Sequence, residues 1–307
     1  MASARSRRRF LRDAGLTGAA LALLGPACSD NADAARLELV RLFSSDNVVV
    51  AGIEQRLPFG LVDSGAPVLG EGGSVAVRVL DSSGAVADEV TVPSRIVTHD
   101  HVDGEGEVPH EHANLVRYFP LRTTLPEPGI YDLEVTIDGQ AILLPVQAFA
   151  DDEVDIIVPG AAFPALTTPT FAAPGPMDPL CTLFDGPCPF HEHAVDEILA
   201  AGEPLAFLIA TPAYCATTYC GPVLETLIES AGNFPSIRAV HLEVYENPNE
   251  VEGDLLDERL RLVGAFDQLG LTFEPSLFLV NRDGVLADRI DNVFDRAELE
   301  LALAAIA

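Results

Sequence analysis

Pro204-Leu205-Ala206-Phe207-Leu208-Ile209-Ala210, followed by Thr211-Pro212-Ala213-Tyr214-Cys215-Ala216-Thr217-Thr218-Tyr219-Cys220-Gly221-Pro222, decides how the second half of this 307-residue chain folds. The apolar run up to Ala210 reads as a strand buried on both faces. A helix is expected from about Cys220 to Ser230. Cys215 and Cys220 therefore fall at a strand-to-helix junction. Free N–H groups and the positive dipole end of a helix stabilise a thiolate there and make it reactive. Positions five apart in a regular helix point apart, so residues 215–219 must loop before the helix if the two sulfurs are to meet.

Outward from this junction, strands and helices alternate. Ala194–Ala201 reads as a short helix, Ile237–Val244 as a strand, Leu255–Leu269 as a long helix and Ser276–Asn281 as a strand. Arg282-Asp283-Gly284 is a turn leading into a strand over Val285–Ile290, and Asp295 is placed to cap a closing helix that runs to Ile306. A tight Asp-Gly turn makes the last two strands antiparallel, whereas the earlier ones need helical crossovers.

Residues 191–307 resemble the thioredoxin-like family. The resemblance rests on this order of elements, the cysteine pair after Leu208–Tyr214, the triplet Cys220-Gly221-Pro222, and Pro275 just before Ser276-Leu277-Phe278-Leu279-Val280. It implies an α/β fold with a central mixed sheet flanked by helices, and a cis proline at Pro275 beside the active cysteines. The Cys-x4-Cys-Gly-Pro core is similar to exported thioredoxin-like proteins of high-GC bacteria, which also carry an N-terminal β domain and a Cys-x6-Cys. Thioredoxins themselves use Cys-x2-Cys, two residues shorter. Peroxiredoxins place Thr three residues before the reactive cysteine, and Thr211 is four before Cys215. Thioredoxin-fold copper chaperones use Cys-x3-Cys plus a distant His, which this spacing misses by one.

The function this implies is thiol–disulfide exchange, with Cys215 as nucleophile, Cys220 as resolving thiol and Pro275 beside them. Glu274 either lies near the pair and opposes thiolate formation or is an exposed loop acid. Two other readings stand beside it: a metal-binding, copper-chaperone envelope protein using Cys215, Cys220 and some histidines, and a non-catalytic interaction module of thioredoxin fold. Cys181 and Cys188 enclose six residues and are expected as a structural disulfide.

Six of the seven histidines occur as His-acid-His: His99-Asp100-His101, His110-Glu111-His112 and His191-Glu192-His193. On an extended strand, positions i and i+2 share a face, so His99, His101, His110 and His112 are candidate ligands for Cu or Zn. A solvated acidic hairpin loop explains the same residues. No cofactor is required for the exchange reaction. His241, alone on an apolar strand, reads as a hydrogen-bonded core residue.

Ahead of this domain, Leu37–Phe149 has strand patterning. Leu37–Leu42, Ser74–Leu80 and Tyr131–Ile137 are rich in strand formers, and turn residues separate them at Asp81–Gly84, Pro126–Gly129 and Asp138-Gly139. The expectation is an all-β, immunoglobulin-like sandwich over 35–150. Eight of the 23 prolines lie between 159 and 189, and residues 151–190 read as a stiff linker.

Residues 6–12, Ser-Arg-Arg-Arg-Phe-Leu-Arg, and the apolar run Ala14–Ala27 resemble a twin-arginine export signal over residues 1–28. Cys28 follows Leu23-Leu24-Gly25-Pro26-Ala27, which resembles a lipoprotein box with Cys28 as the lipidated residue. The box usually has Leu where Gly25 stands, and ordinary cleavage nearby, after Ala34, is the other reading. The expected location is the periplasm or outer face of the envelope, lipid-anchored to the membrane if Cys28 is modified. The expected partners there are protein thiols and disulfides. All 18 basic residues are arginine, and the net charge is −29; beyond residue 28, 13 arginines face 46 acids, a net of −33. Such a surface repels phosphate backbones, which argues against nucleic-acid binding.

Overall fold

The computed structural model describes residues 37–44, 48–69, 72–101, 110–184, 186–215, 217–252 and 254–307; for 98–101 and 110–115 it gives backbone pairing alone. Residues 1–28, expected as an export signal, and Cys28 lie outside the described residues. The chain divides into two compact units, one holding the strands up to Val154 and the other residues 155–307.

The named strands of the first unit pair antiparallel. Its strands are β1 (Leu37–Arg41), β2 (Glu54–Asp63), β3 (Ala66–Pro67), β4 (Ser74–Leu80), β5 (Val86–Pro93), β6 (Arg95–His101), β7 (His110–Thr124), β8 (Gly129–Ile137) and β9 (Gln140–Ala148). They form one sheet of order β1-β2-β7-β6, with β3 on β2, and another of order β5-β4-β8-β9. The period-two pattern shows why: Tyr131, Leu133 and Val135 of β8 and Ile142, Leu144 and Val146 of β9 are buried, while their neighbours in sequence are not. The Tyr131 hydroxyl donates to the Glu127 carbonyl at 2.8 Å and so holds the turn before β8.

The second unit contains a mixed sheet of order β11-β10-β12-β13, where β10 is Leu205–Ile209, β11 Arg238–Leu242, β12 Ser276–Val280 and β13 Leu286–Asp291. β10 runs parallel to β11 and antiparallel to β12, and β12 pairs antiparallel with β13. Every residue of β10 and β12 is buried, as their apolar runs require. Among the described residues this unit has four α-helices: α1 (Val195–Ala200), α2 (Cys220–Ala231), α3 (Gly264–Gln268) and α4 (Arg296–Ala304). Leu208, Leu277 and Leu279 on one sheet face share a core with Leu224 and Leu227 of α2 and Leu299 and Leu303 of α4. Asp295 caps α4, its carboxylate accepting from the Glu298 N–H at 2.7 Å. No helix among the described residues is long and apolar enough to cross a membrane.

Two sequence expectations need correction. The long helix over Leu255–Leu269 shrinks to the five residues of α3. Asp254 and Asp257 accept the backbone N–H groups of Leu256 and Arg259 at 2.9 and 2.8 Å, local turns that compete with helix. Leu262 pairs instead with Tyr245, and Val263 N–H bonds to the Val244 carbonyl.

The proline-rich segment, expected as a linker, is part of the second unit from residue 155. Its backbone is tied to the sheet: Ile157 N–H donates to Leu269, Gly160 to Leu286 and Phe163 to Gly284. Buried Arg289, ion-paired with Asp291 at 3.0 Å, donates to the Ile157 carbonyl at 2.8 Å. The Phe163 ring lies 6.1 and 5.5 Å from Phe207 and Phe278, on the sheet face opposite Leu208 and Leu277. Proline cannot enter the sheet, but an extended segment that donates outward from its non-proline residues can seal a sheet face.

Candidate functional site

β10 ends at Ile209, and the chain then makes a 3-10 turn over Pro212–Tyr214 before reaching Cys215. Cys220 opens α2. The loop that sequence spacing demanded is present, and it brings Cys215 and Cys220 into a disulfide, with their Cα atoms 6.1 Å apart. The two sulfurs differ in access. Cys215 is half-buried, with its Sγ 3.3 Å from the Thr217 hydroxyl, whereas Cys220 is fully buried in the core between the sheet and α2.

Glu274 is the residue whose environment the sequence left open. It is buried, with its carboxylate within 4.8 Å of both sulfurs. Neither carboxylate oxygen has a hydrogen-bond partner of proper geometry. Burial, reinforced by the negative charge of Glu243, pushes this carboxyl well above its ordinary range, and Thr211 opposes that only in part. Thr211 is itself pinned, its hydroxyl oxygen accepting from Val244 N–H at 2.8 Å. The Glu274–Pro275 peptide is cis and leads directly into β12.

A second cluster lies in the same unit. Cys181 and Cys188 are free, buried thiols, which corrects the expected structural disulfide. The segment 181–191 folds over the edge strand β11, where His241 N–H bonds to the Phe190 carbonyl, and this brings both cysteines to two histidines. Cys188 Sγ lies 3.3 Å from His191 Nε2 and 3.4 Å from His241 Nδ1, and Cys181 Sγ lies 3.7 Å from His241 Nδ1. The four donor atoms are all within 4.8 Å of one another, and all four residues are buried.

The surroundings orient this cluster. His241 Nε2 is 2.8 Å from the Ala210 carbonyl; donating there leaves Nδ1 with its lone pair toward the sulfurs. Cys188 N–H donates to Cys181 Sγ at 3.4 Å. The Cys188 thiol donates to Cys181, holding Cys181 below the usual thiol range and Cys188 above it. Burial opposes an imidazolium at His241, but the Cys181 sulfur and Glu243 more than offset this and raise it. Burial raises Glu243 to about 7 against the pull of His241. Glu243 also accepts from the Thr182 N–H and hydroxyl at 2.6 and 3.0 Å, and Thr182 Oγ1 accepts from Ala213 N–H at 3.1 Å. One chain of bonds therefore links the Cys181 loop to the turn before Cys215.

The other histidine expectations divide. His191-Glu192-His193 is not a two-imidazole face: His191 is buried and His193 exposed, because this stretch is a turn and not a strand. The β6–β7 register pairs His99 with His112 and His101 with His110. The side chains of these four lie outside the described residues. His241 is buried and hydrogen-bonded, as expected, yet it also faces the two thiols. The overlooked signal was Cys188-x2-His191, two potential ligands three residues apart.

Neither a scan of protein-family models nor a search of curated proteins matches this chain.

Proposed function

We propose that this chain is a thiol–disulfide oxidoreductase of thioredoxin-like type, acting through Cys215 and Cys220. The observation that carries the reading is the asymmetry of the bond: a half-buried Cys215 sulfur joined to a fully buried Cys220 at the start of a twelve-residue helix, with a buried acid within 4.8 Å of both. The sheet order β11-β10-β12-β13 and the covering helices support the thioredoxin-like fold. The paired antiparallel sheets and the Tyr131 anchor support the immunoglobulin-like reading of the first unit.

The exchange proceeds at the accessible sulfur. A substrate thiolate attacks Cys215 Sγ, the Cys215–Cys220 bond breaks, and Cys220 leaves as a thiolate. The α2 N-terminus stabilises that thiolate, and neutral Glu274 supplies its proton. A second substrate thiolate attacks the substrate sulfur of the mixed disulfide and releases Cys215. Two substrate thiols become a disulfide as the protein disulfide becomes a dithiol. In the reverse direction Cys215 attacks a substrate disulfide, and Cys220 resolves the mixed species after giving its proton to Glu274. Export, as read from residues 6–12 and Cys28, would place this chemistry where protein disulfides persist.

The test compares wild type with Cys215→Ser and Cys220→Ser in insulin-disulfide reduction and in dithiol oxidation. Wild type turns over, Cys215→Ser does not, and Cys220→Ser accumulates a mixed disulfide at Cys215. Equal inactivity of wild type and Cys215→Ser under both oxidising and reducing poise overturns the proposal.

A further inference from the structure

We propose that Cys181, Cys188, His191 and His241 form a tetrahedral site for one Zn²⁺ ion, separate from the Cys215–Cys220 disulfide. The argument begins with distances. Zinc–sulfur bonds of about 2.3 Å and zinc–nitrogen bonds of about 2.0–2.1 Å, at tetrahedral angles, put sulfur and nitrogen ligands about 3.5 Å apart. Three of the four sulfur–nitrogen separations are 3.3, 3.4 and 3.7 Å, and all four donor atoms lie within 4.8 Å of one another. Those three spacings match the sulfur–nitrogen edges of a tetrahedron of zinc size.

Chemistry selects the same ion. Two thiolates and two neutral imidazoles are a soft, nitrogen-and-sulfur donor set of four, the composition of closed zinc sites. A divalent ion with two thiolates carries no net charge, which suits a cluster whose four residues are buried. Two of the four ligands have orienting contacts. The Ala210 carbonyl fixes the His241 ring so that Nδ1 faces inward, and Cys188 N–H points at the Cys181 sulfur. The sequence arrangement also fits: Cys181, Cys188 and His191 sit on one short loop, and His241 comes from the strand that the loop covers. The ion would fasten the loop to β11, and Thr182 on that loop holds Ala213, two residues before Cys215. The inference does not depend on thiol exchange at Cys215.

Zinc and its spectroscopic substitute Co²⁺ are the probes, and the full chain is the sample. Wild type with reduced Cys181 and Cys188 binds one equivalent of Co²⁺ with the intense visible bands of a tetrahedral thiolate site, and Zn²⁺ displaces it. Cys181→Ser with Cys188→Ser abolishes the bands. Cys215→Ser with Cys220→Ser leaves them intact. Since ligand variants can fail to fold, alkylation of wild type provides an independent reading: Zn²⁺ slows modification of Cys181 and Cys188, because a thiolate held by the metal is not free to attack. Bands that survive the Cys181/Cys188 double variant, bands lost with the Cys215/Cys220 double variant, or thiols unprotected by Zn²⁺ each overturn the proposal.

Discussion

Replacing Glu274 with Gln should change the pH dependence of stability, in a direction fixed by the site. Glu274 is buried, and its carboxyl is raised well above the ordinary value of 4.5, by burial first and by Glu243 second. Below that ordinary value the folded and unfolded chains both hold the proton, and Glu274 adds nothing to the pH dependence. Above it the unfolded chain releases the proton while the folded chain keeps it. Stability then falls as pH rises, by about 1.4 kcal/mol per pH unit, until the folded carboxyl also ionises. Glutamine has nearly the same shape and no proton to release. The stability difference between Glu274→Gln and wild type should therefore widen by about 1.4 kcal/mol per unit between about pH 5 and about pH 6. Whatever fixed cost or gain the amide brings does not depend on pH, and Glu243, common to both chains, cancels to first order. All described α-helices lie in the 155–307 unit, so helical circular dichroism in urea follows that unit's transition with the disulfide intact. Stability-versus-pH curves that run parallel for the two chains would refute the assignment of Glu274 as a buried, proton-holding group.

Two further substitutions test how the unit is held together. Asp295→Ala removes the carboxylate that accepts from Glu298 N–H and should cost about 1 kcal/mol in urea unfolding, as loss of an N-cap does; an unchanged midpoint would mean the cap is idle. Gly270 has φ +65°, and a Cβ there would collide with the Asp155 carbonyl. Gly270→Ala should therefore destabilise the unit by about 3 kcal/mol or more, through left-handed strain and a backbone clash together; a loss below about 1 kcal/mol would show that residues 155–156 are not packed against that turn.

The strands were the most legible part of the chain, because burial writes itself directly into apolar runs and alternation. Leu205–Ile209 and Ser276–Val280 are unbroken apolar segments and are buried on both faces; Tyr131–Ile137 alternates and is buried on one. The disulfide-forming pair was legible for a related reason, since its position depends on two adjacent elements of the same stretch. The expected Leu255–Leu269 helix fails because Asp254 and Asp257 turn the backbone into short local loops. The proline-rich segment misled differently. Proline content predicts an absence of regular structure and says nothing about an absence of packing, and here Phe163 and the outward-donating amides make it the second cover of the sheet.

Cys181 and Cys188 show where local reading ends. In an oxidising compartment, two cysteines seven residues apart are most simply a disulfide, and that inference used only the pair and its assumed location. What competes with a disulfide is a third and fourth donor, and one of those, His241, lies 53 residues beyond Cys188 on the edge of a sheet. Its approach depends on three events that no local pattern encodes: β11 takes the edge beside β10, the 181–191 loop closes over that edge, and the Ala210 carbonyl turns the imidazole so that Nδ1 faces the sulfurs. Each follows from the sheet order and not from the loop's own composition. Only one of the two cysteine pairs departs from its expected state: the pair read as a staple is free and faces two imidazoles, while the pair read as reactive closes the disulfide that its spacing allowed. Sulfur–sulfur bonding at Cys215–Cys220 and sulfur–imidazole convergence at Cys181–Cys188 are different chemistries, and the short sulfur–nitrogen spacings of the second are what the proposed zinc site rests on.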